Sequence, residues 1–222
     1  MSETARENIL APVGGHIAQL GNRIGTVIRN VNPLASKKTP AHRLTRAWLL
    51  VIDPQVIFAD PTSEWAVPRF DDALAVAARI APRFGERVLV TRWLPAAERP
   101  GSWQAYFERW PFADRSPDDP LFNLVPAARG LSHFPTIDRP TFNKWGRQLQ
   151  TMLGPVPHLV LSGCATSCCV LATALAAADA GATVRVVADA CADSSDENHT
   201  NALHVMGLYD PQIKIVTSDD LL

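Results

Sequence analysis

No stretch of this chain approaches the roughly 20 consecutive apolar residues that a bilayer-spanning helix needs, and no apolar run follows Met1. Neither a membrane span nor a secretory leader is therefore expected. An excess of one charge sign is missing too: 21 basic residues face 22 acidic ones, for a net charge of -1. This removes the electrostatic footprint of a nucleic-acid or anionic-membrane binder. Cysteine is scarce, and its spacing excludes more. Three of the four cysteines crowd into Cys164–Cys169 and the fourth is Cys191. Vicinal Cys168 and Cys169 make a poor disulfide framework, and the C-x-x-C pairs of a zinc knuckle or a redox motif are lacking. A soluble, cytoplasmic protein with reduced thiols is expected. The basic leader, in which Arg6, Arg23, Arg29, Lys37, Lys38, Arg43 and Arg46 face only Glu3 and Glu7, is too poor in serine for an organellar presequence.

What remains is an ordinary globular composition, 47% hydrophobic and 19% charged over 222 residues, enough for one generous domain. Residues 1–45 show no clear period, though Ile17–Val31 could form an amphipathic helix, and we read them as an N-terminal extension. From residue 46 to 222 short apolar runs alternate with helical patterns. Ala47–Asp53, Arg87–Thr91, Pro135–Arg139, His158–Ser162, Thr183–Ala188 and Lys214–Thr217 read as strands. Phe70–Phe84, Lys144–Leu153, Thr166–Ala180 and Asp196–Leu208 read as helices. Such alternation predicts a three-layer α/β/α sandwich on a mostly parallel sheet of about six strands. The segment Leu94–Arg129, punctuated by proline and rich in aromatics, is too long for an idle connector and reads as part of a binding wall.

In an open parallel sheet ligands bind beyond the carboxyl ends of the strands. That rule gathers Asp53, Arg92, Arg139, the stretch Gly163–Cys169, and Asp189 at one edge. If Thr166 caps the helix that follows, Cys169 occupies its third position, where free N–H groups and the helix dipole would lower the thiol pKa. Cys164 and Cys168 read as small buried hydrophobes. Asp53, directly before Pro54, is either a turn former or a general base in a partly desolvated site.

The residues Asp53-Pro54-Gln55, Gly163-Cys164-Ala165-Thr166 with Cys169-Val170, Thr173-Ala174, Val187-Ala188-Asp189-Ala190, and Glu197-Asn198-His199 resemble the isochorismatase-like cysteine hydrolase superfamily, which includes nicotinamidases, N-carbamoylsarcosine amidases and isochorismatases. The resemblance covers roughly residues 46–222. It implies a Rossmann-like hydrolase fold and a triad of Asp, Lys and Cys, with Asp53 and Cys169 in two of the roles. At the lysine position the motif spacing places Arg139, and Lys144 reads as a solvated lysine at a helix start, the alternative being a register in which Lys144 reaches the site. A permanent cation at Arg139 would hold charge without exchanging protons.

The resemblance further implies a cis peptide at Cys164–Ala165, with the N–H groups of Ala165 and Cys169 as an oxyanion hole. It implies hydrolysis of a C–N bond in a small amide, imide or carbamoyl compound through a Cys169 thioester. Gln55, Trp93, Trp103, Tyr106 and Phe107 are the candidates to bind a small flat substrate. The alternatives are isochorismatase-type cleavage of a vinyl ether and a non-catalytic binding member that has Arg139 in place of the lysine. Some relatives hold a divalent ion with histidines after the second strand, but Thr91–Glu98 has no histidine, so no metal and no other cofactor is expected. The family often forms dimers or larger assemblies, and a homo-oligomer is expected.

Overall fold

The structure is a computed structural model, and it describes residues 46–222. The expected extension and the helix at Ile17–Val31 lie outside the described residues. Six strands form one sheet: β1 (Ala47–Ile52), β2 (Val88–Trp93), β3 (Ile137–Arg139), β4 (His158–Gly163), β5 (Thr183–Cys191) and β6 (Ile213–Val216). Every pairing is parallel, and the spatial order is β3-β2-β1-β4-β5-β6. The helices are α1 (Val56–Ala59), α2 (Phe70–Ile80), α3 (Trp103–Arg109), α4 (Arg147–Leu153), α5 (Leu171–Asp179) and α6 (Asp196–Gly207). Among the described residues no helix is long and apolar enough to cross a membrane.

The run Ala47–Ile52 lacks polar alternation because both of its faces are covered. Leu49 and Val51 enter one core with Val88, Val90 and the α2 residues Ala73, Leu74, Ala77 and Ile80. Leu50 and Ile52 enter the other, with Leu89, Leu161, Val186 and residues of α4, α5 and α6. Alternation along one strand thus feeds two cores, which makes the three layers. Helix α5 presents Ala174, Ala177 and Ala178 to the sheet, small side chains that let it approach closely.

Strand order reverses between β1 and β4. At such a switch point the two crossovers leave in opposite directions, and a crevice opens past the carboxyl ends. The strands run in tight register there, with Ile52 opposite Gly163. Gly163 has φ of 112°, and a Cβ on it would lie 2.1 Å from the Ile52 carbonyl oxygen. Both backbone conformation and space demand glycine. Gly163→Ala should therefore cost about 4 kcal/mol or more, the range of severe single substitutions. A urea melt showing the variant within about 1 kcal/mol of the parent would refute this packing.

Candidate active site

Asp53 and the loop after β4 meet at this crevice. The Asp53 backbone is left-handed, with φ of 51°. The chain then turns through Pro54, whose fixed φ suits the close Gln55 N–H to Asp53 carbonyl bond of 2.8 Å. Asp53 is thus a turn former and also a buried carboxylate, with 0% exposure. The Thr91 hydroxyl donates to its Oδ1 at 2.6 Å and accepts from its backbone N–H at 3.2 Å. Its Oδ2 lies 2.8 Å from Lys144 Nζ, and neither side chain is exposed.

That pairing corrects the assignment of Arg139. The helix expected from Lys144 begins only at Arg147, so residues 140–146 form a loop instead. Within it Asn143 Oδ1 accepts from Trp145 N–H at 2.7 Å, and Thr141 Oγ1 donates to the Asn143 carbonyl at 2.8 Å. Thr173 Oγ1 accepts from Lys144 N–H at 2.9 Å and donates to the Cys169 carbonyl at 2.6 Å. These bonds turn Lys144 inward, and its ammonium also donates to the Thr141 carbonyl at 3.1 Å. Arg139 packs against Gly146, where a Cβ would meet its Nη2 at 3.1 Å. Its Nε is buried without a hydrogen-bond partner, and it plays no part in the Asp53 pair.

After β4 the Cys164–Ala165 peptide is cis, as the resemblance implied. Ala165 is extended, and Thr166–Val170 winds one π-helical turn before α5 begins at Leu171. Thr166 does not cap this turn. Its hydroxyl donates to the Ala192 carbonyl at 3.0 Å and meets His199 Nδ1 at 2.9 Å. Burial, then the charge of Arg69, pushes the His199 pKa down, which favours the neutral ring. The N–H of Ser167 at the head of the turn is taken by Asp193 Oδ2.

Cys169 is 3% exposed. Burial pushes its thiol well above the ordinary range, Lys144 pulls the other way, and the charge of Asp53 and a hydrogen bond to it push further up. The thiol therefore holds its proton more tightly than a free cysteine, opposite to the depression expected from a helix start. Desolvation outweighs the helix end here, and part of that end is already occupied by Asp193.

Cys164 is buried as expected, its thiol 3.5 Å from the Asp53 carbonyl. Cys168 is not: it is exposed. Asp189 accepts from the Ser218 N–H at 2.8 Å and does not border the cavity over Cys169. Arg92 forms a two-pronged pair with Asp138 at 2.9 and 2.6 Å.

Above the Asp53–Lys144–Cys169 group lies a cavity of about 270 Å³. Trp93, Tyr106, Ala165 and Cys169 border it, as anticipated. Gln55, Trp103 and Phe107 do not. Gln55 is fully buried and spends its amide on the Trp93 N–H (2.8 Å) and on the carbonyls of Trp93 (3.0 Å) and Phe122 (2.8 Å), so it fastens the loop after β2 to the end of β1. Trp103 packs against Tyr106 and Phe142, and Phe107 stacks on Trp93 from behind. Sequence reasoning missed Thr91, Trp65, Phe142 and Asp193, and held Lys144 only as the alternative to Arg139. Trp65 is the hub of the aromatic wall, touching Phe58, Trp93, Tyr106, Trp110 and Phe112. Among the described residues no three His, Cys, Asp or Glu side chains gather as a metal site.

A parallel sheet with a carboxylate, an ammonium and a thiol at its switch point suits a hydrolase of α/β fold. The comparisons agree: the profile of the isochorismatase domain matches residues 47–220, and the chain belongs to this hydrolase family. No curated protein is matched. A cysteine hydrolase from Pseudomonas syringae pv. phaseolicola superposes with a TM-score of 0.69 at 16% identity, covering 80% of this chain and 91% of that one. PnC1 from L. infantum, in complex with nicotinate, gives 0.62 at 17% identity, with 80% and 95% covered. The MAR1 ribonuclease from Caenorhabditis elegans gives 0.59 at 22% identity, with 79% and 78% covered.

Proposed function

We propose that the protein hydrolyses a C–N bond of a small amide, imide or carbamoyl compound through a Cys169 thioester. The observation that carries this reading is the buried Asp53–Lys144 pair, 2.8 Å apart, together with the buried Cys169 on the border of a cavity of about 270 Å³. Asp53 accepts the thiol proton as the sulfur attacks the carbonyl carbon, and the N–H groups of Ala165 and Cys169 receive the oxyanion. Lys144 pairs with the Asp53 carboxylate before the proton moves and stabilises thiolate character on the sulfur as it attacks. Asp53 then gives its proton to the departing nitrogen, and the amine leaves. Water, deprotonated by Asp53, adds to the thioester carbonyl. The carbon–sulfur bond breaks, the acid departs, and the proton returns to Cys169. Thr91 keeps the base in position throughout. A lysine in place removes the ground for a non-catalytic member lacking its cation.

Incubation with a panel of small amides, imides and carbamoyl compounds should release ammonia or amine and acid in equal amounts. Hydroxylamine should divert the acyl group to a hydroxamate. Absence of nitrogen release across the panel, or undiminished turnover by Cys169→Ala, would exclude the thioester route. The latter result would favour cleavage that does not use the cysteine.

A further inference from the structure

The cavity above Cys169 has a lopsided chemistry. Its border includes Phe58, Trp65, Trp93, Tyr106, Trp110 and Phe142, six aromatic rings. Two carboxylates also border it, Glu64 and Asp193, whereas no arginine, lysine or histidine does. Beneath the floor the charges of Asp53 and Lys144 cancel as a buried pair. Glu64 forms no ion pair among the described residues. Asp193 is 5% exposed and is fastened by the Ser167 and Ser194 N–H groups and the Ser194 hydroxyl, so its charge is held in place and not neutralised by a cation.

Rings meet at steep angles in this wall. Trp65 crosses Trp93 at 73° and Trp110 at 69°, and Tyr106 crosses Phe142 at 72°. Such crossings make a box and not a slot, and aromatic faces carry the negative end of the ring quadrupole. The Arg109 guanidinium already lies over Trp110, 4.6 Å from the ring centroid, outside the cavity border. Trp93 adds one donor: its indole N–H is buried with no partner in the protein. An anionic substrate would meet two carboxylates and find no cation to pair with, at a cost that burial increases.

We infer that the cavity selects an organic cation, a substrate whose ammonium or similarly charged group sits among the aromatic rings near Glu64 and Asp193 while a carbonyl reaches Cys169. The inference rests on the proposed hydrolase reading for the carbonyl end alone; the charge preference belongs to the cavity walls. It sets this chain apart from any relative acting on a carboxylate, because the charge complementarity is reversed.

The test is equilibrium binding at fixed ionic strength, read by quenching of tryptophan fluorescence, with benzyltrimethylammonium, benzyl alcohol and benzoate as probes. Benzyltrimethylammonium should bind at least about tenfold more tightly than the neutral alcohol, with benzoate weaker than both. Bound cation should slow alkylation of Cys168, which borders the same cavity. Glu64→Gln, at an exposed position that folding tolerates, should reduce the preference, and Glu64→Gln with Asp193→Asn should remove most of it. Benzoate binding as tightly as the cation, no binding of the cation, or a preference unchanged in the double variant would overturn the inference. Amide hydrolysis read in parallel separates the two claims. A cation preference without turnover counts against the thioester chemistry only, and turnover without the preference counts against the cation site only.

Discussion

Lys144→Ala is expected to lower kcat/KM by at least about a thousandfold, while Arg139→Ala should stay within about threefold of the parent. The contrast follows from position. Lys144 Nζ stands 2.8 Å from Asp53 Oδ2 with no solvent to screen it, and its charge also bears on the Cys169 thiol. Arg139 touches neither. Removing the ammonium leaves a buried carboxylate without its counter-charge, a loss of about 3–5 kcal/mol that also favours protonation of the base. Kinetics must therefore be compared below the melting temperature of the variant, with folding checked by circular dichroism. Lys144→Arg should fold but recover little activity, because a planar guanidinium cannot occupy the space of an ammonium hydrogen-bonded to the Thr141 carbonyl. A folded Lys144→Ala protein with near-parent turnover would sink the assignment, as would collapse of activity in Arg139→Ala.

The second large effect concerns thiol reactivity. At pH 7 iodoacetamide should modify Cys168 at least about tenfold faster than Cys169, because Cys168 is exposed and the Cys169 thiol is buried and held protonated. Asp53→Asn should reverse the behaviour of Cys169. The substitution removes the carboxylate charge that raises the thiol pKa, and keeps Lys144, which lowers it. In a Cys168→Ser background, alkylation of Cys169 should then accelerate by about tenfold or more, even as hydrolysis falls for want of a base. The same shift sets a pH trend. Folding raises the pKa of Cys164, Cys169 and Cys191 alike, each chiefly by burial. The native state therefore holds these protons more tightly than the unfolded chain, and stability should decline as pH rises past the ordinary thiol value. An Asp53→Asn protein whose Cys169 is no more reactive than before would show that Asp53 does not govern this thiol.

The strands were legible because each buries both faces, so their apolar runs carry the signal in one dimension. Ala47–Ile52 and His158–Gly163 begin where the runs begin. The helix after β2 in the aromatic segment, the 3-10 turns around it and the loop before α4 were less legible, since proline and isolated aromatics set no period. Strand ends brought Asp53 and the segment holding Cys169 to one edge, and the resemblance to the isochorismatase-like family supplied their expected roles. Lys144 was legible only as the alternative to Arg139. Counting from a strand end assumes regular chain, and residues 140–146 are held by an Asx turn and by Thr173, a residue 29 positions distant from Lys144. A sequence pattern records neighbours along the chain, and the inward turn of Lys144 depends on a neighbour across it.

The sequence by itself determined the parallel α/β sandwich and the edge at which Asp53 and the Gly163–Cys169 segment gather, because burial on two faces and strand ends are local properties of the chain; motif resemblance singled out the thiol and the carboxylate there. The tertiary structure alone decided which cation completes the group, the protonation of the thiol, and the character of the cavity. Charge, desolvation and enclosure depend on distances between segments far apart in the chain. Gln55 shows the difference: its place in the sequence suggested a substrate contact, whereas folding surrounds its amide with the Trp93 and Phe122 backbone and leaves it nothing to offer a ligand.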